Sequence, residues 1–258
     1  MATMSRIEWT ESTWNPVTGC TPVSAGCQNC YAQRMSVRLR HMGCQKYVAG
    51  FAVRIHEDVL GEPAKWRKPR LVFANSMSDL FHEDVPTDFI VRVFDVMHAH
   101  PQHTFQILTK RGRRLRELSS VLRWGAHMWQ GVTVESADHA NRIDVLRGID
   151  AKVRFVSFEP LLGDIGSVDL TGIQWAIVGG ESGLGARPMD AQWVYWLKGQ
   201  CETQGVLFYF KQWGGVSKKR AGRVLLGRTW DGMPEIRRVG VASSIPARKT
   251  IRKKGGVP

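Results

Sequence analysis

The sequence predicts an α/β fold, a parallel (βα) barrel or partial TIM-type barrel with a basic C-terminal extension. Three observations predict it. Short apolar runs alternate with amphipathic stretches, giving about seven strand-then-helix units once a first strand just before Cys20 is included. Most runs end in polar residues, as barrel strands do where they deliver side chains to one face. The net charge of +13 is gathered at one end: residues 211–258 carry 13 Lys and Arg against Asp231 and Glu235, whereas residues 1–210 carry 23 against 21 acids. Right-handed connection of successive βα units makes a parallel barrel, or part of one, the natural closure. A doubly wound sheet is the alternative.

The elements follow in order. Met1 to Trp14 holds Glu8 and Glu11 and no apolar run, which is neither the form of a signal peptide nor of a membrane span, and no later stretch is long enough to cross a bilayer. We expect a cytoplasmic protein with no membrane partner. Tyr31 to Met42 predicts a helix with Met35, Leu39 and Met42 on one face and Arg34 and Arg38 on a solvated one. Residues 43–68 have no clean period and end in Lys65-Trp66-Arg67-Lys68-Pro69, an exposed connection. Leu71–Asn75 reads as a strand, and Pro86 and Asp88 open the helix Phe89–His98. Thr104–Thr109 is the next strand, with Lys110-Arg111-Gly112 as its loop and Arg113–Leu122 as its helix. Met128–Val134 precedes a helix from about Asp138 to Leu146, and Val153–Phe158 runs into a loop, Glu159–Asp164. Ile173–Val178 ends in Gly179-Gly180-Glu181-Ser182-Gly183 ahead of the helix Ala191–Cys201, and Val206–Phe210 ends in Lys211-Gln212-Trp213. One domain thus spans residues 1–215. The extension, 216–258, holds a small hairpin at Leu225–Pro234 and a flexible last dozen residues.

At 258 residues with 43% hydrophobic content the chain can bury a full core. If the barrel reading holds, the strand-end residues Asn75, Ser76, Ser78, Asp79, Thr109, Lys110, Glu135, Ser157, Glu159, Glu181, Lys211 and Gln212 converge on one face. Some of them only cap helices, since loop starts are polar in any fold.

The chemistry centres on Trp14-Asn15-Pro16 through Ala32, where three of the five cysteines fall within eleven residues as Cys20-x6-Cys27-x2-Cys30. Gly19, Pro22 and Gly26 mark a loop that lets three thiolates turn toward one point. Thiolates favour zinc and iron–sulfur clusters. Three without a fourth suit a [4Fe–4S] cluster with one open iron; a closed zinc knot completed by His41 or Cys44 is the other reading. The odd cysteine count, with three clustered, fits a reducing compartment. Cys201 reads as a small buried hydrophobe.

Asn15-Pro16-x-x-Gly19-Cys20 followed by Cys27-x-x-Cys30-Tyr31-Ala32 resembles the cluster loop of radical S-adenosylmethionine (SAM) enzymes of the spore photoproduct lyase-like group, with three extra residues between the first two cysteines. Ser78-Asp79-Leu80-Phe81, Leu108-Thr109-Lys110 and Val132-Thr133-Val134 resemble elements of that group in chain order. Trp9-Thr10-x-x-Thr13-Trp14-Asn15-Pro16 with the three cysteines resembles, more closely, a phage-associated three-cysteine-motif family of unknown function. Gly179-Gly180-Glu181 is similar to a SAM-binding Gly-Gly-Glu but sits on a late strand, and its other reading is a tight βα turn.

The resemblance implies a [4Fe–4S] cluster on Cys20, Cys27 and Cys30, SAM as the second cofactor, an electron donor, and reductive cleavage of SAM to a 5′-deoxyadenosyl radical. Polarity and place nominate Lys110 for the SAM carboxylate, Asp79 or Glu135 for its ammonium or ribose, Tyr31 for the adenine, and Asn75 and Ser76 beside them. Lys110, Glu159, Glu181 and Lys211 are the candidate catalytic residues. The basic C-terminus nominates DNA or RNA, because clustered Lys and Arg attract phosphate backbones by counterion release; a solubilising tail is the plain reading. The competing function is a non-enzymatic, metal-stabilised nucleic-acid-binding phage protein.

Overall fold

The computed structural model describes residue 5 and residues 7–236. Among these, seven strands form one entirely parallel sheet whose spatial order is its chain order: β1 (Ser12–Trp14), β2 (Leu71–Ala74), β3 (Thr104–Thr109), β4 (Met128–Thr133), β5 (Val153–Phe158), β6 (Trp175–Gly179) and β7 (Leu207–Gln212). It curls into a partial barrel. The crossovers carry the helices α1 (Tyr31–His41), α2 (Thr87–His98), α3 (Gly112–Leu118), α4 (Asn141–Arg147) and α5 (Ala191–Thr203), while the β5–β6 connection has none. No helix among the described residues is long and apolar enough to cross a membrane.

Two cores lie on the two faces of the sheet. Outward residues such as Val72, Phe105, Ile107, Val132, Val156 and Val178 meet the helices. In α2 the residues Phe89, Ile90, Val93, Phe94 and Met97 are buried, the spacing of one helical face, with Asp88 in the first turn and His98 in the last, where the helix dipole favours them. Side chains of the opposite parity fill the barrel interior: Leu71, Phe73, Trp129, Phe155, Trp175, Ile177 and Tyr209, joined by Trp9. Trp175 is the hub of this floor. Its ring centroid is 5.4 Å from Phe155, 6.0 Å from Trp129, 6.1 Å from Tyr209 and 6.2 Å from Trp9, and its indole N–H donates to the Gly232 carbonyl at 2.7 Å. Met233 and Ile236 pack against the same cluster.

The start of the predicted extension is therefore packed: Asp231 bridges Tyr209 of β7 antiparallel, and Trp230 meets Phe208 edge-on. Its later part, the clustered basic residues and the flexible end expected there, lies outside the described residues.

α1 differs from its sequence reading. Its buried residues are Ala32 and Ser36, while Met35 and Met42, on the face expected to be apolar, are exposed. Arg34 is not simply solvated: it donates to the carbonyls of Leu184 and Ser182 at 2.7 Å each and to that of Asn29 at 2.9 Å.

Candidate functional site at the barrel mouth

The C-terminal ends of the strands open on a cavity of about 560 Å³, within the range of small-molecule sites. Of the twelve polar strand-end residues expected to converge, all but Glu135 line it, together with Cys20, Cys27, Cys30 and Tyr31. The inward parity that places aromatics at the floor continues upward: Phe73 leads to Asn75, Leu108 to Lys110, Phe155 to Ser157 and Glu159, and Tyr209 to Lys211. Trp9, Phe73 and Leu108 form its apolar base.

Local sequence sets the approach of the cysteine loop. Trp14 is fully buried and its N–H donates to the Val59 carbonyl at 2.9 Å. The Asn15 side-chain oxygen accepts from the Met77 backbone N–H at 2.9 Å and the Ser76 hydroxyl at 3.2 Å, tying the loop to the end of β2. Gly19 has φ +83°, and a Cβ there would stand 2.0 Å from the Ala52 carbonyl oxygen, so only glycine fits before Cys20.

The first end of the loop rests on Arg111, a residue of the connection after β3 that no motif in the sequence marks. This buried guanidinium donates to Cys20 Sγ at 3.4 Å, Asp79 Oδ2 at 3.2 Å, Glu83 Oε2 at 2.8 Å, and both the carbonyl and hydroxyl of Thr21 at 3.1 Å. Burial pushes the Cys20 thiol up to about 11, with Arg111 acting in the opposite direction. Asp79 also accepts from the Thr109 hydroxyl at 2.7 Å and from the Lys110 and Phe81 backbone N–H groups at 3.0 Å each.

The second end is held from two strands. Glu135 is buried behind the cavity; it accepts from the Ser24 hydroxyl at 2.5 Å and pairs with Arg142 at 2.8 Å and Lys110 at 3.4 Å. Burial alone would raise its carboxyl, but Lys110, Ser24 and Arg142 hold it below the usual value. Glu181, expected as a substrate or cofactor contact, is already engaged. Its carboxylate accepts from the Arg187 backbone N–H at 3.0 Å, the Arg187 side chain at 2.5 and 2.9 Å, and the Asn29 amide at 2.9 Å. These donors overcome the effect of burial and bring its carboxyl down to about 2. Arg187 reaches on to the Ala25 carbonyl at 3.0 Å and Gln28 at 3.3 Å, so residues 25–29 hang from the β6 loop. Nothing in the spacing of the sequence marks the bonds of Arg187 to Ala25, Arg34 to Leu184 or Ser24 to Glu135, each of which joins residues more than 100 apart in the chain.

Across the cavity, Lys211 Nζ and Glu159 Oε1 are 2.9 Å apart, and the Ser157 hydroxyl donates to Glu159 at 3.2 Å. They meet over β6, which lies between their strands, because Gly179 has no side chain: a Cβ there would stand 2.8 Å from the Glu159 carboxylate. Asn75 is held at φ 63° with its side-chain N–H2 unpartnered in the structure, and Tyr31 donates its hydroxyl to the Ser76 carbonyl.

The donor set suits a thiolate-bound iron–sulfur group. All three thiols are free and partly exposed; Arg111 donates to Cys20, the kind of contact that orients and tunes a metal thiolate, and Cys27 lies 3.8 Å from Ser24 Oγ, whose proton goes to Glu135. Among the described residues no three His, Cys, Asp or Glu side chains are gathered as the ligands of one metal ion. Cys44 does not line the cavity and packs with Ala32, Tyr47 and Met77, while Cys201 is buried in the outer core, its thiol pushed up by burial to about 12.

A comparison with curated proteins finds no match. Among solved structures, the chain is similar to a spore photoproduct lyase mutant with bound AdoMet and dinucleoside spore photoproduct, at 12% identity and a TM-score of 0.49 over 69% of this chain and 58% of that one. It is similar also to spore photoproduct lyase complexed with dinucleoside spore photoproduct, at 13% identity and a TM-score of 0.42 over 78% of this chain and 63% of that one. The chain thus spans less than two thirds of these structures, and likeness at this level carries over no chemistry. A family model matches residues 4–234, nearly the whole described chain, under a description that mentions no phage: the chain belongs to the family described as "Protein of unknown function (DUF5131)".

Proposed function

We propose that the protein is a radical SAM-like iron–sulfur enzyme acting on a nucleic acid or nucleotide. The observation that carries this reading is that Cys20, Cys27 and Cys30, free thiols in a loop braced from three sides, line the same cavity as the charged strand ends. When bound by the three thiolates, a [4Fe–4S] cluster with an open iron supplies an electron for reductive cleavage of SAM, the start of radical chemistry.

The chain's own residues divide into two sets. Lys110, partly exposed at the cavity wall, is placed to pair with the SAM carboxylate by a charge-assisted bond, sharing Glu135 as its counter-ion. Tyr31, Asn75 and Ser76 line the wall beside it, and the unpartnered Asn75 amide suits an acceptor atom on a ligand. Glu159 and Lys211 offer a substrate one acceptor and one donor. Asp79, Glu135 and Glu181 are occupied by protein donors, and their work is to position Lys110 and the cysteine loop. The apolar base keeps water from the reacting region. The basic C-terminus supports the nucleic-acid substrate, and the free thiols suit a reducing cytoplasm.

Anaerobic reconstitution tests the reading. The protein should bind iron and sulfide, SAM should perturb the EPR spectrum of the reduced cluster, and dithionite with SAM should yield 5′-deoxyadenosine. Cys20→Ala, Cys27→Ala and Cys30→Ala should each lose iron, and Cys44→Ala and Cys201→Ala should retain it. A loaded cluster indifferent to SAM and without product would overturn the enzyme reading. A colourless protein holding zinc would favour the competing one, a metal-stabilised nucleic-acid-binding protein.

A further inference from the structure

We infer that Arg111 is the positioning residue that sets the reduction potential of the iron–sulfur group at Cys20. The inference rests on the assignment of Cys20, Cys27 and Cys30 as cluster ligands. A guanidinium has five N–H donors, and here all five are used: Nε–H on Glu83, the two on Nη1 shared by Cys20 Sγ and Asp79, and the two on Nη2 taken by the carbonyl and hydroxyl of Thr21. The Arg111 backbone N–H is itself tied to the Thr109 hydroxyl at 2.9 Å. His82, hydrogen-bonded to the Thr21 hydroxyl at 2.8 Å, fixes the remaining partner. The fork cannot swing away from the sulfur without breaking several bonds, so a charged donor is built into one ligand, whereas the Ser24 hydroxyl beside Cys27 gives its one proton to Glu135.

Hydrogen bonds and charge at the thiolates are among the levers that set cluster potentials. Reduction adds negative charge to the cluster, and a fixed cation at Cys20 favours that state. Asp79 and Glu83 oppose it, Glu83 more weakly because its side chain is half exposed and screened by solvent. The signs of the effects are therefore set in advance. Arg111→Gln removes the cation and leaves both carboxylates, lowering the potential; Arg111→Lys keeps the charge but loses the fork and lowers it less. Glu83→Gln removes an opposing charge and raises it slightly.

EPR-monitored redox titration of the reconstituted protein reads these shifts, with iron and sulfide content measured alongside. A downward shift in Arg111→Gln and an upward one in Glu83→Gln, at full iron loading, is the expected result. A full cluster at the wild-type potential in Arg111→Gln overturns the inference and leaves the ligand assignment standing. Should Arg111→Gln hold no cluster, Glu83→Gln decides, an unchanged potential counting against the inference. Failure of the wild-type protein to take up iron overturns the ligand assignment itself, and the inference with it.

Discussion

The floor and the mouth of the barrel are built by the same strands from the same inward-facing positions, yet they hold opposite chemistry. At the floor, Trp9, Trp129, Phe155, Trp175 and Tyr209 make an aromatic cluster in which the Trp175 N–H meets a backbone carbonyl. Two to four residues further along, the same parity presents Lys110, Ser157, Glu159 and Lys211 to a cavity. The difference separates two tasks: apolar burial at one end fixes the curvature of the sheet, and that rigidity lets the other end hold charged groups that contribute little net stability of their own.

That division is tested first at the floor. Trp175→Ala removes the hub of the cluster and should cost about 3–5 kcal/mol in urea unfolding. A loss under about 1 kcal/mol would mean that the floor is not the stabilising half. Two glycines sharpen the contrast. At the floor, a Cβ on Gly131 would stand 2.4 Å from the Phe155 ring, which is wholly buried and cannot yield; Gly131→Ala should cost about 1–3 kcal/mol. At the mouth, the Cβ of Gly179→Ala would meet a carboxylate able to turn into the cavity, so the expected loss is about 0.5 kcal/mol. Equal losses in the two variants would erase the distinction.

Much of the floor was legible in the sequence and little of the bracing at the mouth was. β3 and β5 run over the expected residues because both faces of each strand are buried, so the apolar run marks the whole element. β6 begins at Trp175 rather than Ile173, whose N–H closes a turn onto the Leu170 carbonyl. The pattern in α1 told which residues share a face but not which face meets protein: its arginine docks on carbonyls some 150 residues away, and its methionines stay in solvent. The strand-end polar residues were found by position alone, since the barrel sends them to one place. Which of them remain open to a ligand was not readable. Asp79, Glu135 and Glu181 are occupied by Arg111, Ser24 and Arg187; the closed fold brings the first two pairs together, and the third is a contact within one loop. In the segment between Cys20 and Cys27, Thr21 accepts from Arg111 and Ser24 donates to Glu135.

The smallest expected effect concerns the Glu181 brace and appears only in acid. With its carboxyl lowered from 4.5 to about 2 by Arg187 and Asn29 against the effect of burial, the unfolded chain takes up the proton first as pH falls. Stability contributed by the carboxylate is therefore complete above pH 4.5, declines below it and is gone near pH 2. Glu181→Gln keeps an acceptor for Asn29 but cannot titrate, so its stability deficit relative to wild type should be constant at neutral pH and should close through that window. Hydrogen exchange at the amides of residues 27–30 locates the effect: in the wild type their protection should fall with acid toward that of the variant. A deficit that stays the same from pH 7 to pH 3 would show that the brace works through shape rather than charge, and that the mouth, like the floor, is held by packing.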